Sequence, residues 1–364
     1  MTRARLLILA IPLVWILFHF LSDGSVLTAG NMVNLFKYLS VVGILATGMT
    51  LVIGAGHIDL SVGSLLGFLG AVNALLLAAG WPLPAALAAG ALLGLAAGAL
   101  HGILVAVFRV PSFIATLSGL LAYMGLKQFL ANPVIPLQNK FLIGLGQGSL
   151  HGAPAWIAVG TVVAILVVVS GKRGVKGAAI GGIALLAMTA VAEQDRGIPL
   201  SVLALGAAGA LCHFIAVKTR PGRYAFALGS SAEAARYAGI PVKAVTIFVF
   251  ALMGLMAWLA GLTATSQLMA GAADIGDQQE LYAIAACVLG GTALRGGSGS
   301  VWLSVLGAVL MASILNGMEQ VGIPSTMQKV ILGLILTAAV AIDPVSTQWA
   351  ARWKSLRTNR QEPA

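Results

Sequence analysis

Residues 39–55, LSVVGILATGMTLVIGA, form an uncharged apolar run. The stretch Gly54-Ala55-Gly56-His57-Ile58-Asp59-Leu60-Ser61-Val62-Gly63-Ser64 then breaks it before a second apolar run begins. Each run approaches the roughly 20 residues that cross a hydrocarbon core as a helix. A helix interrupted between them is tolerated in lipid only where protein or a watery cavity covers the freed backbone. The same texture fills the chain: 59% of its 364 residues are hydrophobic and 9% are charged, more apolar surface than one soluble core hides. The expected fold is all-α, a polytopic membrane protein of about 10–12 spans with broken or re-entrant segments.

Candidate spans are 6–21, 39–55, 60–79, 83–108, 113–131, 155–170, 177–192, 200–217, 244–268, 281–294, 301–318 and 327–342, the tenth being short enough to be re-entrant or broken. The net charge of +10 would suggest nucleic acid in a soluble protein. Here its distribution fixes topology instead, and no nucleic-acid partner is expected. With Arg3 and Arg5 placed in the cytoplasm, most of the 21 basic residues fall in inner loops, among them Arg109, Lys172, Arg173, Lys176, Lys218, Arg220, Arg223, Arg236, Lys243 and Arg295. Asp23, Glu193, Asp195, Asp274, Asp277, Glu280 and Glu319 fall outside, and both chain ends face the cytoplasm. The first span has the basic start of a signal peptide but no small-residue cleavage pattern after it, so it reads as retained. Cys212 and Cys287 sit in separate apolar segments and form no ligand pattern.

A second element stands out in the most basic loop. Ser230 and Glu233 have capping-box spacing, Ala232, Ala234 and Ala235 favour helix, and Gly239 with Pro241 supplies a stop. A helix of two turns is marginal by itself. It is either a docking element for a soluble partner or a loop helix resting on its own spans.

Chemistry within the chain is sparse. No Gly-x-x-x-x-Gly-Lys-Ser/Thr loop is present, so the chain is not its own P-loop ATPase. His19, His57, His101, His151 and His213 are scattered without metal-ligand spacing. His57 and Asp59 with Ser61 and Ser64 alone suggest a nucleophile cluster. Asp59 reads first as the N-cap of the helix that follows, and second as a functional carboxylate beside a translocation path. A similar break recurs at 290–300, and each break is followed by Gly-Ser and then Gly-Ala-Val, at Gly63-Ser64 with Gly70-Ala71-Val72 and at Gly299-Ser300 with Gly307-Ala308-Val309. Paired interrupted segments point to a transporter's path, while a glycine-rich chain also produces such matches by chance. Among the 45 glycines, Gly90, Gly94 and Gly98 repeat at the four-residue spacing that lets helices pack closely.

These residues resemble the sugar permeases of bacterial ABC importers, and within them the xylose transport permeases. Residues 56–64, GHIDLSVGS, resemble the family's Gly-Gly-Ile-Asp-Leu-Ser-Val-Gly-Ser, with His57 in place of a glycine. Residues 110–117, VPSFIATL, are similar to its Pro-Pro-Phe-Ile-Ala-Thr-Leu segment. Residues 222–240, GRYAFALGSSAEAARYAGI, resemble its coupling loop, although Ser231-Ala232 lacks the Asn that often precedes that small pair. AIAACVLGGT at 283–292 and MASILNGM at 311–318 continue the likeness. The extra basic-flanked pair around 172–192, followed by Asp195-Arg196-Gly197-Ile198-Pro199, looks like the longer middle of xylose permeases. Ribose, arabinose and galactose remain open.

The resemblance implies a single transmembrane permease domain over 1–364, with 218–243 as its cytoplasmic coupling loop and 344–364 as a basic cytoplasmic tail. It implies a homodimer in the bacterial inner membrane that binds two cytoplasmic ABC ATPase subunits and receives a monosaccharide from a periplasmic binding protein. ATP and Mg would sit on the ATPase, and the permease itself would bind no cofactor or metal. Ser230, Glu233, Arg236, Tyr237, Gly239 and Pro241 are the expected coupling residues. Gly56, Asp59, Ser61, Gly63 and Ser64 mark the helix break. Asn73, Gln128, Asn316 and Trp258 are the candidate hydrogen-bonding and stacking groups of a sugar path, each equally able to bond a neighbouring helix. Gln267, Gln278, Gln279 and Glu280 lie on the expected outer side. An ion-coupled carrier would need buried acids or bases, of which the sequence offers Asp59, and a membrane-embedded enzyme would need clustered titratable groups.

Overall fold

The computed structural model describes residues 3–161, 163–164, 182, 186, 189–194 and 197–338. Among the described residues the regular structure is helical apart from two-residue bridges. Its helices are α1 (Arg3–Leu21), α2 (Ala29–Gly54), α3 (Val62–Ala78), α4 (Leu83–Ala106), α5 (Ser112–Leu130), α6 (Lys140–Gln147), α7 (Ser201–Lys218), α8 (Arg220–Ser230), α9 (Ala232–Tyr237), α10 (Val242–Leu268), α11 (Gln279–Leu289) and α12 (Val301–Gln320). A further helix, α13 (Ser325–Ala338), lies in a separate compact unit that begins at Gly322. The expected span 155–170 is described over 155–161 and 163–164, where it is helical, whereas the span 177–192 and the insert 172–192 lie largely, and the tail 344–364 wholly, outside the described residues.

Among the described residues six helices are long and apolar enough to cross a membrane: α2, α4, α5, α7, α10 and α12. The other expected spans within the described residues are shorter apolar helices, and α11, with 11 residues, has the expected truncated form. Pro84 stands at the start of α4, where its missing N–H costs nothing. Asn139 caps α6 by accepting from Phe141 N at 3.1 Å and Leu142 N at 3.2 Å. The largest departure from expectation is α2, which begins at Ala29 rather than Leu39. Its first turns carry Asn31, Asn34, Lys37 and Tyr38, polar residues that look like a flank in the sequence. Partners on other helices explain their inclusion. Asn31 and Asn316 exchange two amide hydrogen bonds of 2.7 and 2.8 Å, and Tyr38 donates to Glu319 on α12.

Two helices organise the bundle. α10 packs on α4, α3, α2 and α6, and α2 packs on α12, α10, α7 and α11. The α4 and α10 backbones lie in contact at Gly94 and Gly98 of the expected glycine row and one turn further on at Gly102, whereas Gly90 faces the Asn73 and Trp258 side chains. A Cβ at Gly94 would sit 2.7 Å from the Gly254 carbonyl, and one at Gly102 would sit 2.6 Å from Ile247 Cα. Lipid gives helices no hydrophobic reason to associate, so close backbone packing supplies the adhesion. Two antiparallel bridges tie connections to the bundle: Ile135–Pro136 with Ala270–Gly271, and Ser149–Leu150 with Ile198–Pro199.

Gly94→Val is expected to lower the thermal unfolding midpoint in detergent by the equivalent of about 1–3 kcal/mol, the usual cost of overpacking. Gly125→Ala, a helical position where an added Cβ meets nothing within 4 Å, is the matched control expected not to lower it. Equal midpoints for both variants would show that the seam yields.

Candidate functional site

The interrupted segment after α2 is built around Asp59, which is 1% exposed. Its Oδ1 accepts from Ser61 N at 2.9 Å and from Ser61 Oγ at 2.6 Å. Asp59 is therefore not the N-cap expected from the sequence. Helix α3 starts at Val62 with Ser61 flanking it, and the carboxylate closes a local turn two residues upstream. His101 Nδ1 lies 3.4 Å from Ser61 Oγ, and Tyr123 meets the His101 ring edge-on. The order is Asp–Ser–His. Because the only Ser61 proton goes to Asp59, and Ser61 and Asp59 are sealed from solvent, the cluster supplies no exposed nucleophile. His57 stacks at a tilt on Phe250, 5.6 Å between centroids.

Gly63 and Ser64 open α3 against the start of α11. The Glu280 carboxylate and the Gly276 carbonyl crowd Gly63 so closely that no Cβ fits. On the other side of this contact, Lys127 of α5 is fully buried and reaches the Ile275 carbonyl at 3.0 Å and the Asp277 carboxylate. A lysine near the end of an apolar helix is a functional candidate by default. The sequence reading picked its neighbour Gln128, whose side chain is exposed, and named Asp59 as the one buried ionisable residue. Lys127, His101 and Glu280 are also buried, so a shortage of intramembrane charge does not argue against an ion-coupled carrier.

A cavity of about 500 Å³ lies at the N-terminal end of α2, lined among others by Asn34, Lys37, Tyr38, Gln267, Asp274, Asp277, Gln279 and Glu319. Tyr38 Oη donates to the Glu319 carboxylate, 2.6 and 2.7 Å from its two oxygens. Lys37 Nζ donates to Gln147 Oε1 at 2.7 Å, and Gln267 Nε2 donates to Ser40 Oγ at 3.0 Å. The lining offers donors, acceptors and an aromatic ring, the equipment for a polyhydroxylated molecule. Gln267 and Gln279 were among the expected outer residues. The sequence-level path candidates lie elsewhere: Asn316 is locked to Asn31, while Asn73 and Trp258 both abut Gly90 between α3, α4 and α10. Tyr38, Lys37 and Asn34 were missed because an apolar window starting at Leu39 discards them. A polar residue within one turn of a span's edge is the signal that finds them.

At the far end of the bundle, α8 and α9 replace the expected single loop helix. Thr219 and Pro221 start α8, and Ser230 ends it. The cap of α9 is Ser231, whose Oγ accepts from Ala234 N at 3.2 Å, so the Ser230–Glu233 capping box does not form. Gly239, at φ 75°, closes the helix as expected. Of α9 only Ala235 is buried, while Glu233 and Arg236 are exposed and Tyr237 is 84% exposed.

Residues 31–340 match the family described as branched-chain amino acid transport system / permease component. That match takes in most of the chain, and the protein belongs to this family of multi-pass transport permeases. It is 38% identical over 360 residues to the xylose transport system permease protein XylH of Escherichia coli (strain K12), which covers 93% of this chain and 90% of that protein. The Haemophilus influenzae XylH is 37% identical over 361 residues, with 94% and 96% covered. The ribose import permease protein RbsC of E. coli (strain K12) is 34% identical over 316 residues, with 87% and 86% covered. No solved structure matches.

Replacing Lys127 with Met removes the ion pair and leaves the Ile275 carbonyl without its donor, a loss of about 1–3 kcal/mol. Hydrogen exchange of the 270–279 segment is expected to rise while α10 keeps its protection. Unchanged exchange would show that the lysine does not hold the loop.

Proposed function

We propose that this chain is the membrane permease subunit of an ATP-driven importer for a monosaccharide, D-xylose first among candidates. The observation that carries this is near-full-length similarity to xylose permeases, and the cavity at one end of the bundle, lined by polar side chains, one tyrosine ring and apolar residues, supports it. The cavity end faces the periplasm and receives sugar from a binding protein. The α8–α9 end faces the cytoplasm with both termini, which agrees with the basic residues gathered around 218–243. Two copies in the inner membrane pair with two ATPase subunits, and ATP with Mg binds there.

A neutral sugar needs hydrogen bonds rather than a counter-charge. Asn34, Lys37, Tyr38, Gln267, Gln279 and Glu319 supply them, and the Tyr38 ring offers a stacking face. Glu233, Arg236 and Tyr237 present the exposed surface of α9 to the ATPase. Gly239 and Pro241 set the angle at which α9 joins α10, so closure of the ATPases pushes on a helix that ends at the cavity. Gly56, Asp59 and Ser61 keep the bend after α2 open without a helix through it, and Gly63 and Ser64 begin α3 directly beyond it.

Vesicles holding the permease, its ATPase and its binding protein are expected to accumulate radiolabelled D-xylose only with internal ATP, and in preference to ribose, arabinose and galactose. Preference for ribose would move the cargo to that of RbsC. Uptake by the permease alone on an ion gradient would overturn the ATP-driven reading. Tyr38→Phe, which strips one hydroxyl from the cavity, is expected to slow uptake about tenfold, the worth of one such hydrogen bond, with assembly intact on size exclusion.

A further inference from the structure

Three glycine-bearing segments meet backbone to backbone at the α8–α9 end, with the Ser230 hydroxyl and the Phe226 ring packed beside them. Gly297 N donates to the Gly54 carbonyl at 2.9 Å, joining the break after α11 to the end of α2. A Cβ on Gly296 would lie 2.8 Å from Gly56 N and 2.9 Å from Gly229 Cα, and one on Gly229 would lie 2.6 Å from Gly297 N. One on Gly297 would lie 2.9 Å from Ser230 Cα. Gly56, Gly296 and Gly297 have φ of 82°, 86° and 80°, so two of the three segments also need glycine for their backbone path. The two sequence breaks therefore touch each other, and the last residues of α8 touch both. Only Ser231 separates that junction from α9.

We infer that this backbone-on-backbone junction is the relay that carries movement of α9 into both interrupted segments, with Gly229 and Gly296 as its positioning residues. The inference rests on reading α9 as the ATPase-docking helix. Long side chains absorb small displacements by changing rotamer, whereas backbones in direct contact have no soft degree of freedom and pass the displacement on. From the junction two routes lead to the cavity. Helix α2 runs from Gly54 to Lys37 and Tyr38, about 26 Å at helical rise, and α11 runs from Gly290 back to Gln279. A push at α9 thereby reaches two walls of the cavity at once, through rods rather than through a chain of side-chain contacts.

The test uses the complete complex of permease, ATPase and binding protein in nanodiscs for hydrolysis and in vesicles for D-xylose uptake. Gly229→Ala and Gly296→Ala wedge the junction apart. A single glycine inserted after Ser231 leaves the junction intact but lengthens its tether to α9, and it keeps the test decisive if the wedged variants fail to fold. Gly125→Ala is the control. The expected result is normal ATPase capture by the assembled variants, a thermal midpoint lowered in the wedged pair and near parental in the inserted one, and at least about tenfold more ATP hydrolysed per xylose moved, a ratio that simple loss of folded protein leaves unchanged. Parental stoichiometry in assembled wedged or inserted variants would overturn the relay. Failure of the parental permease to capture an ATPase would instead remove the docking role of α9, and the relay with it.

Discussion

Close approach of bare backbones is the constraint on which this structure depends. Inside lipid a leucine gains nothing by leaving a lipid tail for another leucine, so helices adhere where small residues let main chains touch. The α4–α10 row shows this along the length of the bundle, and Gly254 meets Gly94 from the opposite side of the same seam. Gly146 presses in the same way on the Ser266 backbone near the C-terminal end of α10, where Gln147 also reaches the Gln267 carbonyl. Glycine serves here as an adhesive rather than as a source of freedom.

On that frame the polar groups act as pins. The Asn31–Asn316 amide pair, extended by Gln320, fixes the register of α2 against α12. The Thr50–Ser304 hydroxyl bond of 2.7 Å repeats the device deeper along the same interface. Lys127 fixes the 274–279 loop, which both roofs the cavity and starts α11. Each pin satisfies groups that would be costly to bury alone.

Much of the fold is legible in the chain, because a run of apolar residues bounded by glycine, proline or charge leaves a membrane helix few alternatives. The truncated α11, the glycine row of α4 and the stop at Gly239 follow from such local rules. What escaped is non-local. Asn31 and Tyr38 are answered by α12 and Lys37 by α6, and nothing near them in sequence shows it. Asp59 looks like a cap by position but bonds Ser61 instead, since α3 does not begin until Val62. Asn316, chosen for a path, was already engaged with a residue 285 positions away. The cavity itself is assembled from α2, α3, α10, α11, α12 and a loop, so its lining becomes visible only when those elements meet.

One helix, α2, spans from the cavity to the glycine junction without a proline or a hinge. Specificity and turnover are thus written on opposite ends of one stiff strut. A substitution that reshapes the pocket for a different cargo tilts the strut and alters timing at the other end. Divergence among such permeases should then show altered preference and altered speed inherited together, with compensating changes appearing at the remote end rather than beside the original one.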